Sequence, residues 1–113
     1  MRRQTAPLLV GAGGIIGAIS RYLISGILPG VGGTLVVNMI GTFVLAVATT
    51  TVQTSRIRLF LMTGILSSFT TYSTFAVQTA TASPMIGVIN IGANYLFGII
   101  AAICGLIVGR RLL

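Results

Sequence analysis

The chain has no aspartate, glutamate, histidine, lysine or tryptophan, and its only charged side chains are seven arginines among 113 residues. Charged residues make up 6% of it, whereas soluble domains contain about 25%. A water-soluble fold needs a charged surface, and this composition supplies very little of one. Because 55% of the residues are apolar, the composition predicts an integral membrane protein.

The missing residue types also exclude whole classes of function. Without carboxylates or imidazoles there is no catalytic triad and no usual general base, so we do not expect an enzyme. Metal sites built from side chains are disfavoured too, because Cys104 is the only residue of a usual ligand type for zinc. Proton-coupled transport normally uses buried Asp, Glu or His residues. The arginines occur in doublets between apolar runs, which is unlike the clustered basic face of a nucleic-acid-binding domain.

Four apolar stretches are long enough to cross a bilayer, since about 20 helical residues span about 30 Å of hydrocarbon. Pro29-Gly30 marks a turn after the first, and Ser83-Pro84 has the pattern of an N-cap and first turn before the fourth. We therefore predict an all-α integral membrane protein with a single four-span domain, residues 1–113. The predicted spans are residues 7–28, 33–52, 59–80 and 85–108.

The distribution of arginine predicts the orientation of these spans. Six of the seven lie on the side shared by the N-terminus, the middle loop and the C-terminus. The loops at 29–32 and 81–84, on the opposite side, carry no charge. This bias predicts one fixed topology in the cell inner (plasma) membrane, with both termini cytoplasmic. The six arginines are Arg2, Arg3, Arg56, Arg58, Arg110 and Arg111.

Two polar residues inside the predicted spans are candidates for an anion site, because buried polar groups in a membrane are costly. Arg21 is either an anchor that extends to the interface or a fixed positive charge that attracts anions. No carboxylate exists to neutralise it, which favours an anion as the transported species. Asn38 is either a hydrogen-bonding contact between helices or an N–H donor to an anion. For Asn90 and Asn94, contact between helices is the safer interpretation.

The third span contains a dense run of hydroxyl groups at residues 67–75, near its middle. Ser and Thr side chains can bond to carbonyls of a bent or broken helix, and broken helices are recurrent ion sites in membranes. We therefore expect an interruption of this helix near the bilayer midplane. Phe69, Tyr72 and Phe75 recur every three residues and would share one face. That stripe is either core packing or a set of electropositive ring edges along a path.

Small residues recur four apart, a spacing that allows helix backbones to approach closely. Four short helices enclose little interior, so a pore would need a second subunit. The three pairs are Gly13 and Gly17, Gly98 and Ala102, and Gly105 and Gly109.

These motifs resemble the small four-helix fluoride channels of the Fluc, or CrcB, family. The matches fall in order through three spans, and the length and the number of spans agree over the whole chain. The matching residues are Gly13, Gly14, Gly17, Ala18, Arg21 and Tyr22, then Gly33, Thr34, Leu35, Asn38, Ile40, Gly41 and Phe43, and then Gly64 with residues 70–75.

The resemblance implies an antiparallel dimer with two fluoride paths and passive exit of fluoride from the cytoplasm, which limits its toxicity. By this resemblance the pore aromatics are Tyr72 and Phe75, and the pore amide is Asn38. The hydroxyls of Ser73 and Thr74 extend the polar track. The resemblance further implies a structural Na⁺, not transported, at the dimer interface. Backbone carbonyls of Ser67 and Thr70 would hold it.

The chain departs from the family pattern at three places. Tyr72 stands where the family usually has Phe, Ser67-Ser68 replaces a Gly pair, and Gln78 stands where an acid is often found. Family homodimers insert in both orientations, whereas the arginine bias here favours one. We therefore expect a heterodimer with a homologous four-span subunit of opposite topology. The alternatives are a non-conducting partner subunit and, less well supported because no membrane Glu is present, a small multidrug efflux transporter.

Overall fold

The computed structural model describes residues 4–113, and within that range the chain folds into helices without any strand. Three of the helices are long and apolar enough to cross a membrane. They are α1 (Thr5–Ile27), α2 (Val31–Thr51) and α5 (Pro84–Leu112). Their bounds agree with the first, second and fourth predicted spans to within four residues.

The third predicted span is broken into two shorter helices. Its first part, α3 (residues 55–69), consists of an α-helical turn Ser55–Arg58, a π-helical stretch Leu59–Leu66 and a final α-helical turn Ser67–Phe69. Its second part is α4 (Ser73–Thr81). The predicted interruption is therefore present, at residues 70–72. The π-helical stretch was not predicted from the sequence, and π-helical segments often occur at functional sites.

The connections between the helices follow from local sequence. Gly30 ends the turn after α1 with φ +79°, a conformation that side chains other than glycine rarely adopt. The predicted start of α5 is confirmed, because Pro84 is its first residue and the Ser83 hydroxyl accepts a hydrogen bond from the Ile86 N–H at 3.4 Å.

The first helix packs closely on α3 through the predicted pair Gly13 and Gly17, both buried. A methyl group at Gly13 would lie 2.9 Å from the Cα of Gly64, and one at Gly17 would overlap the carbonyl oxygen of Ile65. Only hydrogen atoms at these two positions allow the backbones to approach this closely. The small-residue spacing in α1 thus determines how α1 meets the π-helical stretch.

The other extensive helix pair among the described residues is α2 with α5. Gly105 and Gly109 permit it, since a methyl at Gly105 would lie 2.6 Å from the carbonyl oxygen of Phe43 and one at Gly109 would overlap the hydroxyl of Thr50. The third predicted pair, Gly98 and Ala102, does not show such a close approach at Gly98. A methyl at Gly98 would meet nothing within 4 Å, so Gly98 does not mediate helix packing among the described residues.

The packing of α2 on α5 brings four of the arginines to one end of the molecule. Arg110 and Arg111 follow Gly109, which contacts Thr50 near the end of α2. Arg56 and Arg58 lie just beyond that helix end, and the structure therefore separates them from Arg21. Arg2 and Arg3, the remaining members of the predicted basic side, lie outside the described residues.

Candidate functional site

The break in the third span is held open by a side chain from α2. The Thr71 N–H donates to Asn38 Oδ1 at 2.8 Å, and Asn38 Nδ2 donates to the Thr71 carbonyl at 3.0 Å. The Asn38 side-chain amide thus pairs with both the N–H and the C=O of Thr71, which lies in no helix. Unpaired backbone groups are costly inside a membrane, so Asn38 explains why the chain can stop its helix at this point.

The same contact releases a carbonyl group of α3. Thr70 has left the helical conformation, with φ −78° and ψ 159°. In a continuous α-helix the Thr71 N–H would donate to the carbonyl of Ser67, four residues earlier. Here that N–H donates to Asn38 instead. The Ser67 carbonyl, on an exposed residue, is therefore free of this helical partner.

A chain of amides connects the break to α4 and α5. Asn38 Nδ2 donates to Asn94 Oδ1 at 3.4 Å, and Asn94 Nδ2 donates to Asn90 Oδ1 at 3.0 Å and to its carbonyl at 2.8 Å. Asn90 Nδ2 donates to the Thr79 hydroxyl at 3.0 Å, and that hydroxyl donates to the carbonyl of Phe75 at 2.8 Å. These bonds support the interpretation of Asn90 and Asn94 as contacts within and between helices.

This chain of hydrogen bonds fixes the orientation of each amide. Asn94 uses its NH₂ group on two acceptors of Asn90, so its oxygen must face Asn38. Both N–H groups of the Asn38 side chain are in use, since one donates to the Thr71 carbonyl and the other to Asn94 Oδ1. The bond to Asn94 is the longer of the two. An anion that binds Asn38 would therefore take the donor that Asn94 occupies and leave the contact with Thr71 intact.

Most of the predicted site residues line one cavity of about 470 Å³ beside the break. Asn38 and Asn94 face it, and Thr42 lies next to them with its hydroxyl bonded to the Asn38 carbonyl at 2.7 Å. Gly98, where a methyl group would meet nothing within 4 Å, also borders this space. The predicted residues that line the cavity are Asn38, Ser67, Thr70, Tyr72 and Phe75.

The expectation that the three aromatic residues share one helix face is wrong. Phe69 and Phe75 are buried, with 7% and 8% of their surface exposed, whereas Tyr72 is 74% exposed. The helix breaks between Phe69 and Phe75, so the helical period does not continue across these positions. Tyr72 and Phe75 remain neighbours, with ring centroids 5.8 Å apart and planes tilted by 51°.

A second cavity, of about 240 Å³, also borders the break at Thr71 and is lined by Arg21. Thr34 and Thr74 line it together with Arg21, and Thr71 lines both cavities. The Arg21 side chain is half-buried and makes no hydrogen bond within residues 4–113. This cavity therefore presents a positive charge and several hydroxyl groups to whatever fills it.

Two residues singled out in the sequence lie outside both cavities. Ser73, predicted to extend the polar track, is exposed at the start of α4 and lines neither space. Gln78 on α4 has a buried Oε1 atom without a hydrogen-bond partner among the described residues.

The roles of Thr71 and Gly41 at the break were not predicted from the sequence. Thr71 acts through its backbone, which sequence patterns do not reveal. Gly41 makes room for the break, because a methyl group there would overlap the Thr70 side chain and lie 3.4 Å from Phe69. The signals for Gly41 were its match to the family pattern and its spacing, three residues after Asn38 on the same helix.

Comparison with known proteins gives a consistent result. Residues 8–106 match the family model described as CrcB-like protein, Camphor Resistance (CrcB). The chain is 42% identical over 108 residues to fluoride-specific ion channel FluC 1 of Natronomonas pharaonis, covering 89% of this chain and 91% of that protein. It is 40% identical over 116 residues to fluoride-specific ion channel FluC 2 of Halobacterium salinarum, with 97% and 86% covered. The chain belongs to the CrcB-like protein family.

Proposed function

We propose that the chain is a subunit of a fluoride-specific ion channel that lets fluoride leave the cytoplasm passively and so reduces its toxicity. The observation that carries this proposal is the helix break held by Asn38, with two cavities that meet it at Thr71. The chain has no acidic residue that would repel an anion there. The relatives are named for fluoride conduction, an activity that needs no catalytic residue.

The proposed path runs between the two cavities past the break. Arg21 attracts the anion into the smaller cavity, where Thr74 offers a hydroxyl. Asn38 offers an N–H donor in the larger cavity, beside the ring edges of Tyr72 and Phe75. The exposed hydroxyl of Ser73 becomes part of this path only when another subunit covers it. The absence of carboxylates removes the repulsion that an anion would otherwise meet.

The position of Arg21 supports an anion-attracting role over that of an interfacial anchor. An anchoring arginine places its head group in the headgroup region and presents only its stem to apolar surface. Arg21 instead borders a cavity with Thr34, Thr71 and Thr74, and it is half-buried. A fixed positive charge in a cavity raises the local concentration of anions.

The backbone near the break fits a structural Na⁺. Hard cations prefer oxygen ligands, and unwound carbonyls provide them in membrane proteins. The Ser67 carbonyl is free of its helical partner, and Thr70 has an extended backbone beside it. We assign the carbonyls of Ser67 and Thr70 to this ion, at the interface with a second subunit. Bound there, it would neutralise the carbonyl dipoles and hold the subunits together.

Removal of sodium is expected to weaken the assembled channel. A ligand present at about 100 times its dissociation constant stabilises the bound state by about 2.7 kcal/mol, so exchange of Na⁺ for N-methylglucamine should lower the stability of the dimer against denaturant. Ser67→Ala is the matched control, because it keeps the carbonyl ligand and should keep the sodium dependence. Equal stability in the two cations would contradict this assignment.

The exposed polar groups indicate that a second subunit covers the break. Tyr72, Ser73 and Thr74 are exposed in the chain alone, as is Ser67 on α3. Polar groups facing lipid are costly, and a partner would bury them. We propose four spans per subunit, with the broken third helix crossing the membrane as one, and an antiparallel dimer in which the two breaks face each other.

The arginine distribution supports a partner that differs from this chain. An antiparallel homodimer requires half of the copies to insert with their basic end on the opposite side, against the charge bias. We therefore place the chain in the inner membrane with both termini cytoplasmic. A homologous four-span subunit with the opposite charge bias would be its partner.

Fluoride efflux from liposomes tests both the function and the partner. Three preparations are compared: liposomes with the chain alone, liposomes with the chain and a homologous four-span subunit of inverted arginine bias, and liposomes without protein. Efflux is followed with a fluoride electrode. We expect rapid efflux only from the mixed preparation. Full efflux from the chain alone would exclude the obligate heterodimer, and no efflux from any preparation would exclude the channel function.

Two observations favour the second candidate, a non-conducting partner subunit. Both N–H donors of Asn38 are occupied within the chain, and Tyr72 adds a hydroxyl to the ring edge of the pair. Unchanged flux after replacement of Asn38 or Phe75 in the assembled complex would assign the chain to this role. The multidrug transporter has no comparable support, since the chain has no glutamate.

A further inference from the structure

The end of the molecule formed by Arg56, Arg58, Arg110 and Arg111 is a strongly basic surface, here called the arginine end. Arg58 donates to the Val52 carbonyl at 2.8 Å, which fixes its side chain against the end of α2. Arg110 and Arg111 occupy the last turn of α5, just after the contact of Gly109 with Thr50. Two different helices therefore bring their arginines to the same end.

These four charges form no ion pair among the described residues. The sequence contains no Asp or Glu, and no ion pair involves an arginine within residues 4–113. Arg56, Arg110 and Arg111 are exposed. Four positive charges on one small surface repel one another, so an anionic ligand that lies among them is favoured.

The length of α5 places the arginine end at the depth of lipid phosphates. Its 29 residues rise about 43 Å, whereas the hydrocarbon core is about 30 Å thick. The helix therefore extends several ångströms beyond the hydrocarbon at its ends, into the headgroup region. Its last turn, which carries Arg110 and Arg111, lies in that region rather than in bulk water.

Apolar side chains lie directly beside the charged ones. Ile57 on α3 is 51% exposed and lies between Arg56 and Arg58 in sequence. Ile107 on α5 is 49% exposed and precedes Arg110 and Arg111 by three and four residues, which places it one helical turn away on the same face. The surface thus combines guanidinium groups with an apolar flank. A phospholipid offers both matching chemistries, phosphate for the arginines and acyl chains for the isoleucines. A soluble acidic peptide or a free anion matches only the first.

We propose that the arginine end binds the phosphate groups of anionic phospholipids in the leaflet that it faces. Clusters of four or more basic residues next to a transmembrane helix attract anionic headgroups, and guanidinium groups form strong hydrogen bonds to phosphate. The bound lipid neutralises charges that the chain cannot neutralise itself. This inference does not depend on fluoride conduction.

Native mass spectrometry of the purified, assembled protein tests it, with phosphatidylglycerol and phosphatidylcholine of identical acyl chains as probes. We expect the wild-type protein to retain phosphatidylglycerol at least about fivefold better than phosphatidylcholine, and the preference to decrease as salt increases. The variant R56Q/R58Q/R110Q/R111Q should lose the preference. Equal retention of both lipids by the wild type, or an unchanged preference in this variant, would overturn the proposal.

Two controls separate the loss of charge from a loss of folding. R56K/R58K/R110K/R111K keeps the charge and should keep the preference, and Gln53→Ala changes an uncharged residue in the same loop and should have no effect. Loss of the preference in the lysine variant would overturn a contact based on charge. Because binding is measured on solubilised protein, altered insertion of a variant does not affect the result.

Two further outcomes distinguish the source of the phosphate. Inorganic phosphate should displace phosphatidylglycerol poorly, because it lacks the acyl chains that contact Ile57 and Ile107. Displacement by inorganic phosphate or by polyglutamate at the concentration of the lipid would overturn the assignment to a membrane lipid, in favour of a free anion or an acidic partner.

Discussion

Replacement of Asn38 by leucine is expected to lower fluoride efflux from the assembled channel by about 30-fold. The change leaves the N–H and C=O of Thr71 without their partner, and an unsatisfied buried backbone group costs about 1–3 kcal/mol. A cost of about 2 kcal/mol against the broken conformation corresponds to that factor. The measurement is the initial rate of fluoride release from liposomes with equal protein content.

The control for Asn38→Leu is Asn94→Ala. Asn94 lines the same cavity, but its contact with Asn38 is the 3.4 Å bond, and it makes no hydrogen bond with Thr71. Its removal frees one donor of Asn38 for the anion. We therefore expect efflux to stay within about fivefold of the wild type, since a single hydrogen bond contributes about 1 kcal/mol net. Equal losses in the two variants would show that the amide chain, rather than the hold on Thr71, controls conduction.

Replacement of Gly17 by alanine is expected to destabilise the subunit. The added methyl group would overlap the carbonyl oxygen of Ile65 and lie 2.9 Å from its carbonyl carbon. Both atoms belong to the backbone of the π-helical stretch, so α1 and α3 must move apart. Overpacking of this kind costs about 1–3 kcal/mol. The expected result is a lower denaturant midpoint and a smaller yield of assembled protein after purification.

Gly11→Ala is the matched control on the same helix. A methyl group at Gly11 would meet nothing within 4 Å, and alanine is a better helix former than glycine by about 1 kcal/mol. This variant should therefore be as stable as the wild type or more so. Comparable destabilisation by Gly11→Ala and Gly17→Ala would show that helix propensity, rather than the close approach of α1 to α3, determines the effect.

The helix positions were predictable because each depends on local sequence. The long apolar runs, Pro29-Gly30 and the Ser83-Pro84 cap predicted α1, α2 and α5 closely. The hydroxyl-rich segment also predicted a break in the third span. The small-residue spacings predicted the close contacts at Gly13 and Gly17 and at Gly105 and Gly109, but not at Gly98, because spacing does not specify whether another helix faces the residue.

The candidate site was only partly predictable. Asn38 was identified as polar and out of place in an apolar span, yet its actual partner is the backbone of Thr71, 33 residues away. No residue type at position 71 could indicate this, since any residue but proline carries the same N–H and C=O groups. The helical period of the aromatic residues was also misleading, because it assumed a helix that continues through the break.

The sequence by itself determined that the chain lies in a membrane and that it carries no acidic side chain, and it predicts that the arginines lie mainly on one side. The first two are consequences of composition and hold for any arrangement of the helices, whereas the third follows from the predicted four spans. Only the tertiary structure decided that α2 holds the third helix open, that Tyr72 is exposed while Phe75 is buried, and that Arg21 and Asn38 line separate cavities that meet at Thr71. Those features depend on which helices touch, and the Thr71 backbone groups that bind Asn38 occur in every residue except proline.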